Sequence, residues 1–137
     1  MELHPLSLLP ELLFLSRLST AIIRIAAGAA LLYIAWNIYT RRAEIATIPL
    51  PLIGRPREWM ILASSIVTFL AGAALFAGYW TQGAAILGAL IAAKHLTGTY
   101  LYPSIMPLSR GSYMLLAAMC VSLIFSGAGA LAFDLPL

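Results

Sequence analysis

Four stretches of mostly apolar residues constrain this chain more than anything else in it. They run from about Leu18–Tyr39, Trp59–Tyr79, Gln82–Tyr102 and Ser112–Phe133. Each matches the roughly 20 residues that a helix needs to cross a bilayer. A backbone in lipid must satisfy its own hydrogen bonds, and a helix does so within one segment. The expected fold is therefore all-α: an integral membrane four-helix bundle, one domain over residues 1–137. Charged residues make up only 9% of the chain, against roughly 25% in a soluble domain. Ahead of the first run, Leu6–Leu15 is apolar but broken by Pro10 and Glu11. It is expected to lie in the interface as a short helix or to extend the first span. Met1–Ser7 is not basic and no A-x-A site follows, so this segment does not read as a cleaved signal peptide.

The connections suggest how the spans are arranged. Residues 78–83 form a very short link, so the second and third spans should make an antiparallel hairpin. The first loop, Thr40–Glu58, holds Arg41, Arg42, Arg55 and Arg57, and an apolar middle at Ile45–Ile53 that can fold back on the membrane surface. The third connection, Pro103–Gly111, adds Arg110. Basic loops favour the cytoplasmic side. Both long loops are therefore expected inside and both termini outside, with Arg17 opposing. The inner membrane of a prokaryote is the expected location. Tyrosines and tryptophans cluster at the proposed span ends, including Tyr39, Trp59, Tyr79, Trp80 and Tyr100, as interfacial anchors do.

Composition also excludes several functions. The net charge is +3, but eight basic residues are too few and too scattered for a nucleic-acid surface. Cys120 is the sole cysteine, which rules out an intrachain disulfide and CxxC redox chemistry. His4 and His95 are remote in sequence, and no carboxylate accompanies His95. A metal or haem site within one chain is not expected. No phosphate loop or flavin fingerprint occurs. Any electrons would travel on a quinone or in a partner. The first span carries an arginine where a cationic-drug exporter would need a carboxylate, so an anion pathway fits better.

Three basic residues lie inside the apolar runs with no acid beside them: Arg24 in the first, and Lys94 and His95 in the third. Ionisable groups at membrane depth are costly and are functional candidates by default. Arg24 falls on one helical face with Thr20, Ala21, Ala27 and Gly28, a stripe of small residues suited to helix packing. Ala71–Ala74 and the Ala84, Gly88, Ala92 row provide similar surfaces on the next two spans. Arg24 can instead snorkel to the interface, as can Lys94 toward Tyr100–Tyr102. His95 can be a neutral buried ring on a backbone carbonyl. Lys94 and His95 point about 100° apart on their helix.

Several segments resemble the DoxX family of small four-helix membrane proteins. The first span, Arg17–Tyr39 (RLSTAIIRIAAGAALLYIAWNIY), is similar to the family's opening pattern, with Trp36-Asn37 where relatives often carry Gly or Trp before a lysine. The hairpin Ala71–Ala85 (AGAALFAGYWTQGAA) resembles G-x-x-L-x-x-G-x-x-T-R-x-A-A, and Ser126–Asp134 (SGAGALAFD) resembles the G-P-G-x-x-S-x-D close. The chain departs from the pattern at Val67-Thr68-Phe69, where relatives often have a glutamate, and at Thr81-Gln82 in place of T-R. The resemblance implies a subunit or accessory factor of a quinone-linked membrane oxidoreductase, not catalytic alone, with quinone as a non-covalent cofactor.

On this reading Lys94 or His95 donates a hydrogen bond to a quinone oxygen, Arg24 stabilises developing negative charge, and Tyr33, Trp36 and Asn37 line the mouth. The rival expectations are a structural or assembly subunit packed on a larger membrane complex, and a small anion or solute transporter. The expected partners are the bilayer and either a larger complex or further copies of this chain.

Overall fold

In a computed structural model, which describes residues 15–51 and 54–127 (the side chains of residues 16 and 17 excepted), the chain is a multi-pass helical membrane protein. Its elements are α1 (Ser16–Thr40), α2 (Arg42–Ala46), α3 (Glu58–Ala77), α4 (Thr81–Leu101) and α5 (Arg110–Ser126). The described residues of α1, α3 and α4 are long and apolar enough to span a bilayer. The fourth long helix, α5, has 17 residues where the sequence suggests 112–133; it rises about 25 Å, short of a hydrocarbon core about 30 Å thick. The expected N-terminal helix at Leu6–Leu15 and the close of the chain after Gly127 lie outside the described residues.

Glycine decides the central crossing. A β-carbon on Gly28 would sit 2.7 Å from the Phe76 backbone nitrogen and 2.9 Å from the Gly72 carbonyl. One on Gly72 would sit 3.0 Å from the Gly28 carbonyl. With no Cβ at either position, the α1 and α3 backbones come into direct contact there. Close approach of this kind is how helices associate in lipid, where burying leucine gains little. The gap is bridged again nearer the arginine-rich end, where Ser65 Oγ donates to the Ala35 carbonyl at 2.9 Å.

The remaining helices close on this pair. Leu31, fully buried, reaches toward Gly88 of α4, and Gly88 also faces the Cys120 sulfur of α5. The small-residue row of α4 thus packs inward, as its spacing suggests: Ala84, Gly88 and Ala92 are all buried. In pairing, α3 lies chiefly on α1, and α4 chiefly on α5. Although α3 and α4 adjoin in sequence, they meet more sparsely.

The α3–α4 link is a tight turn. Gly78 adopts φ 74°, Tyr79 N–H donates to the Ala74 carbonyl at 2.9 Å, and Gly78 N–H to Leu75 at 3.2 Å. These two bonds are the usual close of a helix on a left-handed glycine. At the opposite end, α5 starts on Ser109, whose Oγ accepts from Ser112 N–H at 3.3 Å, a serine N-cap. That end also carries α2, the Leu50–Gly54 bridge and residues 102–109.

Candidate functional site

The three intramembrane basic residues separate into two places. Arg24 is 1% exposed. Its Nη1 donates to the Leu75 carbonyl at 3.1 Å and to the Phe76 carbonyl at 3.2 Å. Those carbonyls belong to the last turn of α3, where the helix leaves acceptors unsatisfied and carries partial negative charge. Arg24 therefore closes the C-terminal end of α3 from a neighbouring helix. It does not snorkel. The small face predicted from helical spacing delivers it to this position.

Lys94 and His95 lie near the other end. Ser64, the partner of Lys94, stands eleven residues before Leu75 on α3, about 16 Å along the axis. Lys94 Nζ donates to Ser64 Oγ at 3.0 Å, crossing from α4 to α3. No carboxylate lies within ion-pair distance of Lys94 among the described residues; the ion pair found there is Arg41–Glu44. His95, on the next face, is 5% exposed and stacks on the buried Tyr113 ring of α5, with centroids 5.6 Å apart. Its Nδ1 lies 2.8 Å from the Ile91 carbonyl. An acceptor at that distance assigns the proton to Nδ1, which leaves Nε2 as the ring's second polar atom.

Both residues line a cavity of about 310 Å³. Its walls are Asn37 and Ile38 of α1, Met60, Ile61 and Ser64 of α3, and Lys94 and His95 of α4. Its roof comes from the two long connections, including Ile45, Ile48, Leu50, Pro56, Tyr102 and Ile105. The apolar middle of the first loop is thus folded back over the bundle. A mostly apolar space with a few convergent polar groups is the usual form of a small-molecule site.

The roof is tied down. Arg41 holds Glu44 through two contacts of 2.9 Å, and its Nη1 donates across to the Ile105 carbonyl at 3.1 Å. Tyr102 Oη donates to the Pro49 carbonyl at 2.8 Å. The guanidinium beside Glu44 holds that carboxyl below the usual glutamate range, chiefly through their hydrogen bonds. Arg41 in turn is raised, first by the same hydrogen bonds, and stays charged.

Of the six residues singled out from sequence, the structure brings three together at the cavity: Asn37, Lys94 and His95. Arg24 is at the far end of α3. Tyr33 and Trp36 are exposed on α1, 51% and 66%, and do not line the cavity. Asn37 turns its Nδ2 to the Tyr33 carbonyl at 3.0 Å. Sequence reasoning missed Ser64 and the roof. The Ala63-Ser64-Ser65 step inside an apolar run was the available signal for Ser64. No group of histidine, cysteine and carboxylate side chains suited to a metal occurs among the described residues. Compared with protein-family models, curated proteins and solved structures, the chain matches none.

Proposed function

We propose that this chain is a DoxX-like subunit or accessory protein of a quinone-linked oxidoreductase in a prokaryotic cytoplasmic membrane, and that the cavity beside Lys94 and His95 holds the quinone head group. The supporting observation is the convergence of an ammonium, an imidazole and a carboxamide on one apolar-lined space of about 310 Å³. The donor set suits the group. A lysine ammonium has three protons to donate. One is directed at Ser64, and the others are available to a carbonyl oxygen. Lys94 would hold that oxygen, and His95 Nε2, a proton acceptor in this tautomer, would take up a proton and pass it on beside it.

A bound quinone supplies reversible two-electron, two-proton chemistry. This chain supplies orientation, a positive charge and exclusion of water. Having no redox centre of its own in this reading, it needs a partner to deliver electrons. Arg24 takes no part at the cavity and works as a structural residue. The arginine-rich end faces the cytoplasm by the positive-inside tendency.

The test is equilibrium binding of decyl-ubiquinone to the purified protein in nanodiscs. Saturable binding that weakens at least tenfold in the Lys94→Met, His95→Leu double variant is expected. Equal binding by the wild type and the double variant would overturn the proposal.

A further inference from the structure

The cavity has two boundaries of opposite character, and they indicate how a ligand reaches it. Toward the water, the two connections are tied across one another by Arg41 to Ile105 and by Tyr102 to Pro49. Toward the lipid, the wall is Lys94 itself. This residue is exposed, and it shares a helical stripe with Leu90 and Leu101, which are 64% and 55% exposed on the outer surface of α4. Its ammonium nevertheless borders the cavity and reaches Ser64. One residue therefore belongs to both the outer surface and the interior space. The cavity therefore meets the outer surface at the α3–α4 seam, where the two helices touch more sparsely than α1 and α3 or α4 and α5 do.

Toward the middle of the bilayer the seam is flanked by exposed apolar residues. One turn deeper than Ser64, α3 presents Val67, 44% exposed; one turn deeper than Lys94, α4 presents Leu90. Both are apolar and neither blocks the seam with a charge. Resting on the cavity reading above, we infer that the ligand is a lipid-dissolved amphiphile that enters sideways between α3 and α4. Its polar head sits at Lys94 and its apolar tail lies outward along Val67 and Leu90. A water-borne anion would need the tied roof to open, so the seam favours the lipid-borne class.

Site-directed spin labelling in liposomes tests this, in a Cys120→Ala background. A nitroxide at Lys94→Cys should collide with oxygen, which concentrates in lipid, more often than with an aqueous nickel chelate. A nitroxide on the roof at Ile48→Cys should show the reverse. Labels at Val67→Cys and Leu90→Cys, with Lys94 intact, then report the tail. Decyl-ubiquinone should lower their oxygen collisions at least twofold. The tail-less head group 2,3-dimethoxy-5-methylbenzoquinone should not, and Val121→Cys, exposed on α5, which takes no part in the seam, should be unmoved by either. Chelate collisions dominating at position 94, or protection confined to the roof while the unlabelled protein binds decyl-ubiquinone, would overturn the lateral route and leave the binding reading standing. Absence of binding in the unlabelled protein would overturn the binding reading itself, and the amphiphile assignment with it.

Discussion

Arg24 and Lys94 pose the same problem, a basic residue inside an apolar run of sequence, and the protein solves it in two ways. Arg24 is sealed in the bundle, and its guanidinium meets the carbonyls of the last turn of α3. Lys94 stands at the α3–α4 seam, with one hydroxyl as its partner and an apolar cavity at its side. The α3 terminus meets Arg24 with two carbonyls of its last turn. Ser64 meets Lys94 with a single neutral oxygen. A buried cation by itself is therefore weak evidence for function. What separates the two is whether the surrounding backbone already satisfies the charge.

The comparison can be broken most severely at the crossing that positions Arg24. Gly28→Val would drive side-chain carbons into the α3 backbone, where even a β-carbon comes within 2.7 Å. Overpacking against backbone should cost about 3 kcal/mol or more, seen as loss of folded protein in a detergent unfolding titration. Next comes Arg24→Ala. It removes two charge-assisted hydrogen bonds and leaves a void, and should cost about 2–3 kcal/mol by the same titration. Lys94→Met should leave stability unchanged or improved, because a membrane-depth charge is removed. It should weaken decyl-ubiquinone binding about tenfold, or about 1.4 kcal/mol.

Two smaller effects sharpen the picture of the cavity. Ser64→Ala frees the Lys94 ammonium from its one fixed orientation and should weaken binding roughly threefold, about 0.6 kcal/mol, with no change in fold by circular dichroism. The smallest effect is on the roof. Glu44 has its folded-state titration lowered by Arg41, so its contribution is present above the ordinary glutamate range and lost as pH falls through the lowered value. Chelate collisions with a nitroxide at Ile48→Cys should stay flat around neutral pH and rise only in acid. A rise at neutral pH would mean that the Arg41–Glu44 contact does not hold the roof.

Apolar length and helical period carried the fold a long way. The first three spans end within two residues of the helices observed, and the small face of α1 placed Arg24 correctly because a 3.6-residue period fixes which side chains share a side. Pairing was not legible. The short link makes α3 and α4 a hairpin, yet each packs chiefly on another helix, because spacing marks the small faces at Gly28 and at Ala71–Ala74 without saying which of them meet. The cavity was half legible. Lys94 and His95 stand out as polar residues in an apolar run, and Asn37 was singled out with Trp36 by the family resemblance. Ser64 and Ile105 meet them only through tertiary structure. Tyr33 and Trp36 sit on the exposed side of α1, about 40° and 100° round the axis from Asn37, which is enough to separate a lining residue from a lipid-facing one.

The most direct measurement is a paired one on Arg24→Ala and Lys94→Met, recording unfolding stability and decyl-ubiquinone binding for each in the same nanodisc preparation. The account predicts a crossed result. Arg24→Ala loses stability, yet its folded fraction binds like the wild type. Lys94→Met keeps its stability and loses binding. If Arg24→Ala abolished binding in folded protein, or if Lys94→Met unfolded the bundle with binding intact in what remained, the division between a structural and a ligand-facing cation would be contradicted.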